Sequence, residues 1–205
     1  MNIERYLKFH ILINFLKKFS DFIGRNPEQM YLLHYATTIR RYFYFAEIQV
    51  RLFSEAVEKE FNIDNKIDYT EECDSHCFAF YALIRTCLEA AKKASDFMQK
   101  FDNSGELKKY REENKIRIKN IIKTANRFVK HPLSNPNENQ LEFYQPGGLN
   151  ISGNVSMYEW SAKNNHHFEV PEVNPVDDCD SVFKYLEGLA SIYTKIIDNH
   201  KDIKE

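Results

Sequence analysis

Apolar residues recur at three-to-four spacing through the first 130 residues and again near the end of the chain, the signature of amphipathic helices. Phe9, Leu12, Ile13, Leu16, Phe19 and Ile23 mark a first helix over about 3–23, closed by Gly24 with Pro27 just beyond. Leu33, Ala36, Phe43, Val50, Val57 and Phe61 mark a second over about 28–61, followed by a polar stretch to Thr70. A third, over about 74–102, carries Cys77, Tyr81, Ile84, Leu88, Ala91 and Met98, with Asp74 or Ser75 as its cap. Asn103, Ser104 and Gly105 break the pattern. A fourth, over about 105–131, turns Leu107, Tyr110, Ile118, Ile121, Ile122, Ala125 and Val129 inward. Pro132 lacks an amide hydrogen and disfavours a helical residue before it, so His131 falls in the last turn. Residues 132–176 lose the pattern: Pro, Gly, Asn and Ser cluster around two β-like runs, Leu141 to Tyr144 and Val155 to Trp160. A fifth helix, capped between Asp177 and Asp180 and running to about 199, carries Val182, Tyr185, Leu186, Leu189, Ile192, Tyr193 and Ile196. The expected fold is all-α: one domain over 1–205, an antiparallel bundle of about five helices, with a short irregular or β-hairpin insertion at 132–176 before the last helix.

Composition narrows the function. The chain has 205 residues, 43% hydrophobic and 14% aromatic, enough for a sizeable core. Net charge is −2, so any contact with nucleic acid must come from a local patch. Four cysteines in a chain this long point to a reduced, cytoplasmic setting rather than a disulfide framework. The N-terminal apolar run is broken by Lys8, His10, Asn14, Lys17 and Lys18, so it reads as neither a signal peptide nor a membrane span. No phosphate-cradling Gly-rich loop, nucleophile elbow or acidic metal cluster occurs, so neither cofactor nor metal is expected. Cys73, His76 and Cys77, with His166 or His167, form at most a weak metal candidate, and Cys77 also fits the core stripe. Arg85 and Glu89 read as a helix-surface ion pair, while Glu47 falls on an apolar stripe and therefore needs a partner. The turn Tyr42 to Phe45 is aromatic all round, which suits a buried helix or a homodimer interface.

The candidate chemistry lies at the end of the fourth helix. Asn120, Lys123, Thr124, Arg127 and His131 lie roughly opposite the Ile118, Ile121 and Ala125 stripe. Arg127 and His131 are four apart and share a helical face, with Asn126 and Lys130 beside them. Arginine neutralises phosphate charge and histidine transfers a proton near neutral pH, so the set suits a nucleotide or an RNA backbone. The alternative is a solvated basic face at a helix C-terminus, where the dipole favours cations.

The run Asn126, Arg127, Phe128, Val129, Lys130, His131, Pro132 closes a helix that follows two others, the second of them carrying Arg85 and Glu89. Together these resemble the HEPN superfamily over roughly residues 28–131. That family's signature is an arginine, four to six residues and a histidine, often with a polar residue after the arginine. Here Asn126 stands where the four-residue spacing would place the arginine, and Arg127 is one residue nearer to the histidine. The form is similar to a less-characterised branch of these bundles. The resemblance implies a helical bundle, often dimeric, and a metal-independent endoribonuclease or RNA- or nucleotide-binding effector in a toxin–antitoxin or anti-phage system. It implies Arg127, His131 and Asn126 as catalytic residues, Lys130 and Lys123 as substrate-binding residues, and an antitoxin or other protein as partner. The competing expectation is a non-catalytic helical module for protein interaction or dimerisation.

Overall fold

The structure, a computed structural model, describes residues 27–64, 71–130, 142–149, 154–161 and 166–201. Four long helices dominate, so the fold is helical as expected: α1 (Pro27–Asp64), α2 (Glu71–Met98), α3 (Glu106–Lys130) and α4 (Pro175–Lys201). A 3-10 turn, Gln99–Phe101, ends α2. The helix expected over about 3–23 lies outside the described residues. Between α3 and α4 the strands β1 (Glu142–Leu149), β2 (Val155–Ser161) and β3 (His166–Val173) form one antiparallel sheet in the order β1-β2-β3. The sequence offered only the first two as extended runs. His166 to Val173 contains Pro171 and two glutamates, which hid its strand character. Among the described residues no strand precedes Glu142.

Helix ends differ from expectation where local chemistry was misjudged. α2 starts at Glu71, because Glu71, Glu72 and Asp74 all favour the positive end of the helix dipole. Ser75 is therefore inside the helix and donates its hydroxyl to the Glu72 carbonyl at 3.1 Å. α4 starts at Pro175 rather than near Asp177. Its cap is Asn174, whose Oδ1 accepts the N–H groups of Val176 at 3.0 Å and Asp177 at 3.2 Å. Pro175 needs no such partner, which suits it to the first helical position.

The described chain divides into two compact units, each taking part of every helix. One unit holds α1 up to Phe43, α2 from Thr86, α3 up to Lys119 and α4 from Val182. Within it, Ile39 meets Cys87 and Tyr35 meets Lys93, so these parts of α1 and α2 run antiparallel. Glu106 meets Lys195, and Tyr110 meets Lys184 and Tyr185, so α3 and α4 do the same. Leu32, Ala36, Ile39 and Phe43 face inward with Leu189 and Ile192. The stripe begins at Leu32 and not at the expected Leu33. Each large apolar side chain buried in this way contributes about 1.5–3 kcal/mol.

The second unit holds the rest of α1 and α2, α3 from Asn120, the sheet and the first turns of α4. Its core is Ala46, Phe53, Cys73, Cys77, Phe80, Tyr81, Ile84, Ile121, Ala125, Phe128, Val155 and Val173. His76 Nδ1 lies 2.9 Å from Gln49 Oε1, and Lys59 meets Glu72, so α1 and α2 run antiparallel here too.

Two local devices in the first unit have measurable consequences. A Cβ at Gly188 would run into the hydroxyl and ring of Tyr110, whose hydroxyl donates to the Tyr185 carbonyl at 3.2 Å. Glycine inside a helix costs about 1 kcal/mol against alanine, yet only glycine leaves room for this ring. Gly188→Ala is therefore expected to destabilise the protein by about 1–3 kcal/mol in urea denaturation. In a Tyr110→Ala background the same change should stabilise it. Equal effects in both backgrounds would contradict the contact.

Asp102 organises the start of α3. Its Oδ2 accepts Leu107 N–H at 2.9 Å, and its Oδ1 accepts Gly105 N–H at 3.0 Å and the Ser104 hydroxyl at 2.6 Å. Gly105, at φ +74°, supplies the left-handed residue that this turn requires. Burial alone would raise the Asp102 carboxyl, but the bonds from Ser104, Leu107 and Gly105 outweigh it and hold it below its ordinary 3.8. A depressed carboxylate stabilises the fold fully above its unfolded pKa, about 3.9, and loses that contribution as pH falls through the folded value. Asp102→Ala should cost about 1 kcal/mol at neutral pH, with the gap to wild type closing below about pH 4. A gap that stays constant into acid would rule out the carboxylate as its source.

Candidate functional site at the end of α3

The last three turns of α3 are anchored from inside. Ile121, Ala125 and Phe128, at i, i+4 and i+7, are all buried. Phe128 stacks on the fully buried Tyr81 of α2, with ring centroids 4.8 Å apart and planes 11° apart. The Tyr81 hydroxyl donates to Asp178 Oδ2 at 2.8 Å, in the first turn of α4. One tyrosine therefore touches both the end of α3 and the start of α4. The Asn174 cap of α4 in turn donates its amide to Asn154 Oδ1 at 2.7 Å, just before β2. Val155 and Val173, paired across β2 and β3, are buried and root the sheet in the same core.

Against this anchor the polar residues of α3 fall as follows. Lys123 and Asn120 are exposed, and Thr124, Asn126 and Arg127 are half-buried. Lys130 is the last residue of the helix, and His131 lies outside the described residues. From Lys115 to Lys130 the helix carries six cations and no carboxylate, in a chain whose net charge is −2. Lys115 is neutralised by Glu112 at 2.9 Å. Lys119, Lys123 and Arg127 follow one another at intervals of four on one face, and His131 is the next position in that series. Like charges at this spacing destabilise a helix by about 0.2–0.5 kcal/mol per pair. An anion laid along the row would relieve that repulsion.

The other candidates separate. Cys73 and Cys77 are both fully buried in the core stripe, and His76 is turned to Gln49. Among the described residues no group of three His, Cys, Asp or Glu side chains is placed to hold a metal ion. All four cysteines are buried thiols. Arg85 and Glu47 are half-buried, Glu89 and Arg40 exposed, and Arg51 pairs with Glu55 at 3.5 Å. In the aromatic turn of α1, Phe43 is buried, whereas Tyr44 and Phe45 are 37% and 39% exposed. Phe78 of α2, in the same unit, is 42% exposed.

Sequence reasoning did not single out Tyr81, Phe128 and Asp178 as a junction. Phe128 was readable, because it continues the spacing of Ile121 and Ala125. The bond from Tyr81 to Asp178 joins residues 97 apart and leaves no local signal.

No protein-family model matches the chain, and no curated protein or solved structure matches it. No helix among the described residues is long and apolar enough to cross a membrane.

The Tyr81 junction is testable apart from any activity. Tyr81→Phe keeps the ring on Phe128 and should cost about 1.5–3 kcal/mol, the usual contribution of a hydrogen bond to a charged group. Once Asp178→Asn has removed the charge, the same change should cost clearly less. Additivity of the two substitutions in a double-mutant cycle would show that the bond contributes nothing.

Proposed function

We propose that this chain is a HEPN-like helical protein that acts on RNA through the end of α3, most concretely as a metal-independent endoribonuclease. In this reading a fifth helix before Pro27 completes the bundle, the protein works in the cytoplasm as a homodimer, and an antitoxin or similar protein restrains it. One observation carries the proposal: Lys123 and Arg127 stand four apart on the last turns of α3, beside the turn anchored by Phe128 that also holds Asn126.

The chemistry follows from the residue types. Cleavage needs the RNA 2′-oxygen to attack phosphorus while losing its proton, and the 5′-oxygen to leave while gaining one. His131, four residues beyond Arg127, takes or gives the proton near neutral pH. Arg127 stabilises the negative charge that grows on the phosphoryl oxygens. Asn126 orients the scissile group, and Lys130 and Lys123 draw in the backbone. No step in this scheme calls on a metal ion.

A second reading, a non-catalytic module for self-association or for a protein partner, is favoured by the exposed rings of Tyr44, Phe45 and Phe78. One experiment separates the two. Purified wild type, Arg127→Ala and His131→Ala are incubated with total RNA in EDTA, with circular dichroism to verify folding. Wild type should cleave, and each variant should lose about 10²–10⁴ in rate. Cleavage unchanged in folded variants, or RNA left intact by wild type, moves the assignment to the second reading.

A further inference from the structure

We propose that Tyr81 and Asp178 are positioning residues for the end of α3. The hydrogen bond between them, passed on through the ring of Phe128, sets where Arg127 and Asn126 stand when RNA is cleaved. The proposal rests on the RNA-directed reading of α3 and deepens it by saying what holds that site in place.

Neither residue acts on a substrate itself. Tyr81 is fully buried, and its hydroxyl donates to Asp178 Oδ2 at 2.8 Å. Asp178 is half-buried in the first turn of α4, on a different element from the residues it serves. The effect passes through one contact. Phe128 stacks on Tyr81 with planes 11° apart and centroids 4.8 Å apart, and it follows Asn126 and Arg127 directly along α3.

Helix geometry makes that contact matter. Residues of one turn move together, because the backbone ladder fixes their angular spacing. Side-chain ends stand about 5–6 Å from the helix axis, so a rotation of the last turn by about 10° carries them about 1 Å sideways. A misplacement of about 1 Å costs a reaction on the order of a hundredfold. Hydrophobic burial alone has no direction and would tolerate the rotation. Two rings lying flat on one another are directional, so the same rotation slides and tilts Phe128 against Tyr81.

The stack by itself leaves Tyr81 able to tilt with its partner. The bond to Asp178 removes that option, because it ties the far end of the ring to α4. The start of α4 is in turn set by the Asn174 cap and by the bond from Asn174 to Asn154. A continuous line of contacts therefore runs from the root of the sheet through Asp178, Tyr81 and Phe128 to the turn of Arg127, all within one compact unit. Lys123 responds differently. Coulomb attraction falls only as the inverse of distance, so this exposed lysine still draws in RNA after a shift of that size. Losing the junction therefore lowers kcat and leaves KM nearly unchanged.

The test uses the full chain and a labelled RNA oligonucleotide in EDTA, with every protein assayed well below its unfolding midpoint. Tyr81→Phe and Asp178→Ala should each lower kcat about ten- to hundredfold, with KM within about threefold of wild type. Asp178→Asn keeps an oxygen that accepts the Tyr81 hydroxyl and should restore most of kcat. Combining Tyr81→Phe with Asp178→Ala should lower kcat no further than either alone, because both remove the same bond. Hydrogen exchange supplies a readout apart from cleavage: amides from Ile121 to Lys130 should lose protection in both single variants, and those from Leu32 to Phe43 should keep theirs. A folded Tyr81→Phe or Asp178→Ala with wild-type kcat overturns the proposal. So does protection lost evenly along the chain, which would make the junction a matter of general stability. If the junction variants cleave normally while Arg127→Ala does not, the α3 reading stands and the positioning role alone has failed. If wild type leaves the RNA intact, the α3 reading has failed and takes this role with it.

Discussion

A tyrosine with no exposed surface must place its hydroxyl on a partner, and Tyr81 places it on Asp178. An orphaned buried hydroxyl costs about 1–3 kcal/mol, so the requirement selects one seating of α4's first turn against α2. The ring does the second half of the task by stacking on Phe128, which seats the last turn of α3. The last turn of α3 and the first turn of α4 are thus both seated on this one residue. The sheet is consequently held at its root by Val155, Val173 and the bond between Asn174 and Asn154. A helical protein can carry such an excursion because its two ends are tied to the same side chain.

The other unit uses the same logic with different parts. Ser95 and Tyr193 are buried with their hydroxyl oxygens 2.6 Å apart. The Ser95 proton is committed to the Ala91 carbonyl at 2.8 Å, so Tyr193 is the donor to Ser95. Burial pushes the Tyr193 phenol well above its ordinary range, despite the Ser95 bond that lowers it, so the donor keeps its proton across the physiological range. Tyr110 and Gly188 form the second joint, where a helix accepts a poor helix former to admit a ring. Both units thus align their helices through tyrosine hydroxyls as well as through shape.

How much of this was legible depends on the distance over which each interaction acts. The stripes of α2 and α4 were readable residue by residue, since burial of Tyr81, Ile84, Leu88, Leu189 and Ile192 follows helical spacing alone. The stripe of α1 was displaced at its start, from Leu33 to Leu32, because both are leucines and only tertiary packing chooses between them. The cap of α4 was missed because Asn174 was counted with the turn-rich insertion, although an Asn before a Pro is itself a start signal. The third strand was missed because Pro171 and two glutamates resemble a loop. The cationic row on α3 was visible as a pattern. The turn that holds it was not, because Phe128, Tyr81 and Asp178 meet only in the fold.

The energetics of α3's end show why that anchoring matters. Lys119 to Lys123 and Lys123 to Arg127 are two like-charge steps, costing together about 0.4–1 kcal/mol. The dipole at a helix C-terminus favours cations by about 0.3–1 kcal/mol each, but only within the last turn, so it does not reach Lys119 or Lys123. Burial of Phe128 contributes about 1.5–3 kcal/mol at the turn where the row ends. Packing therefore exceeds repulsion, and the helix keeps a charge pattern that its own propensities would not select.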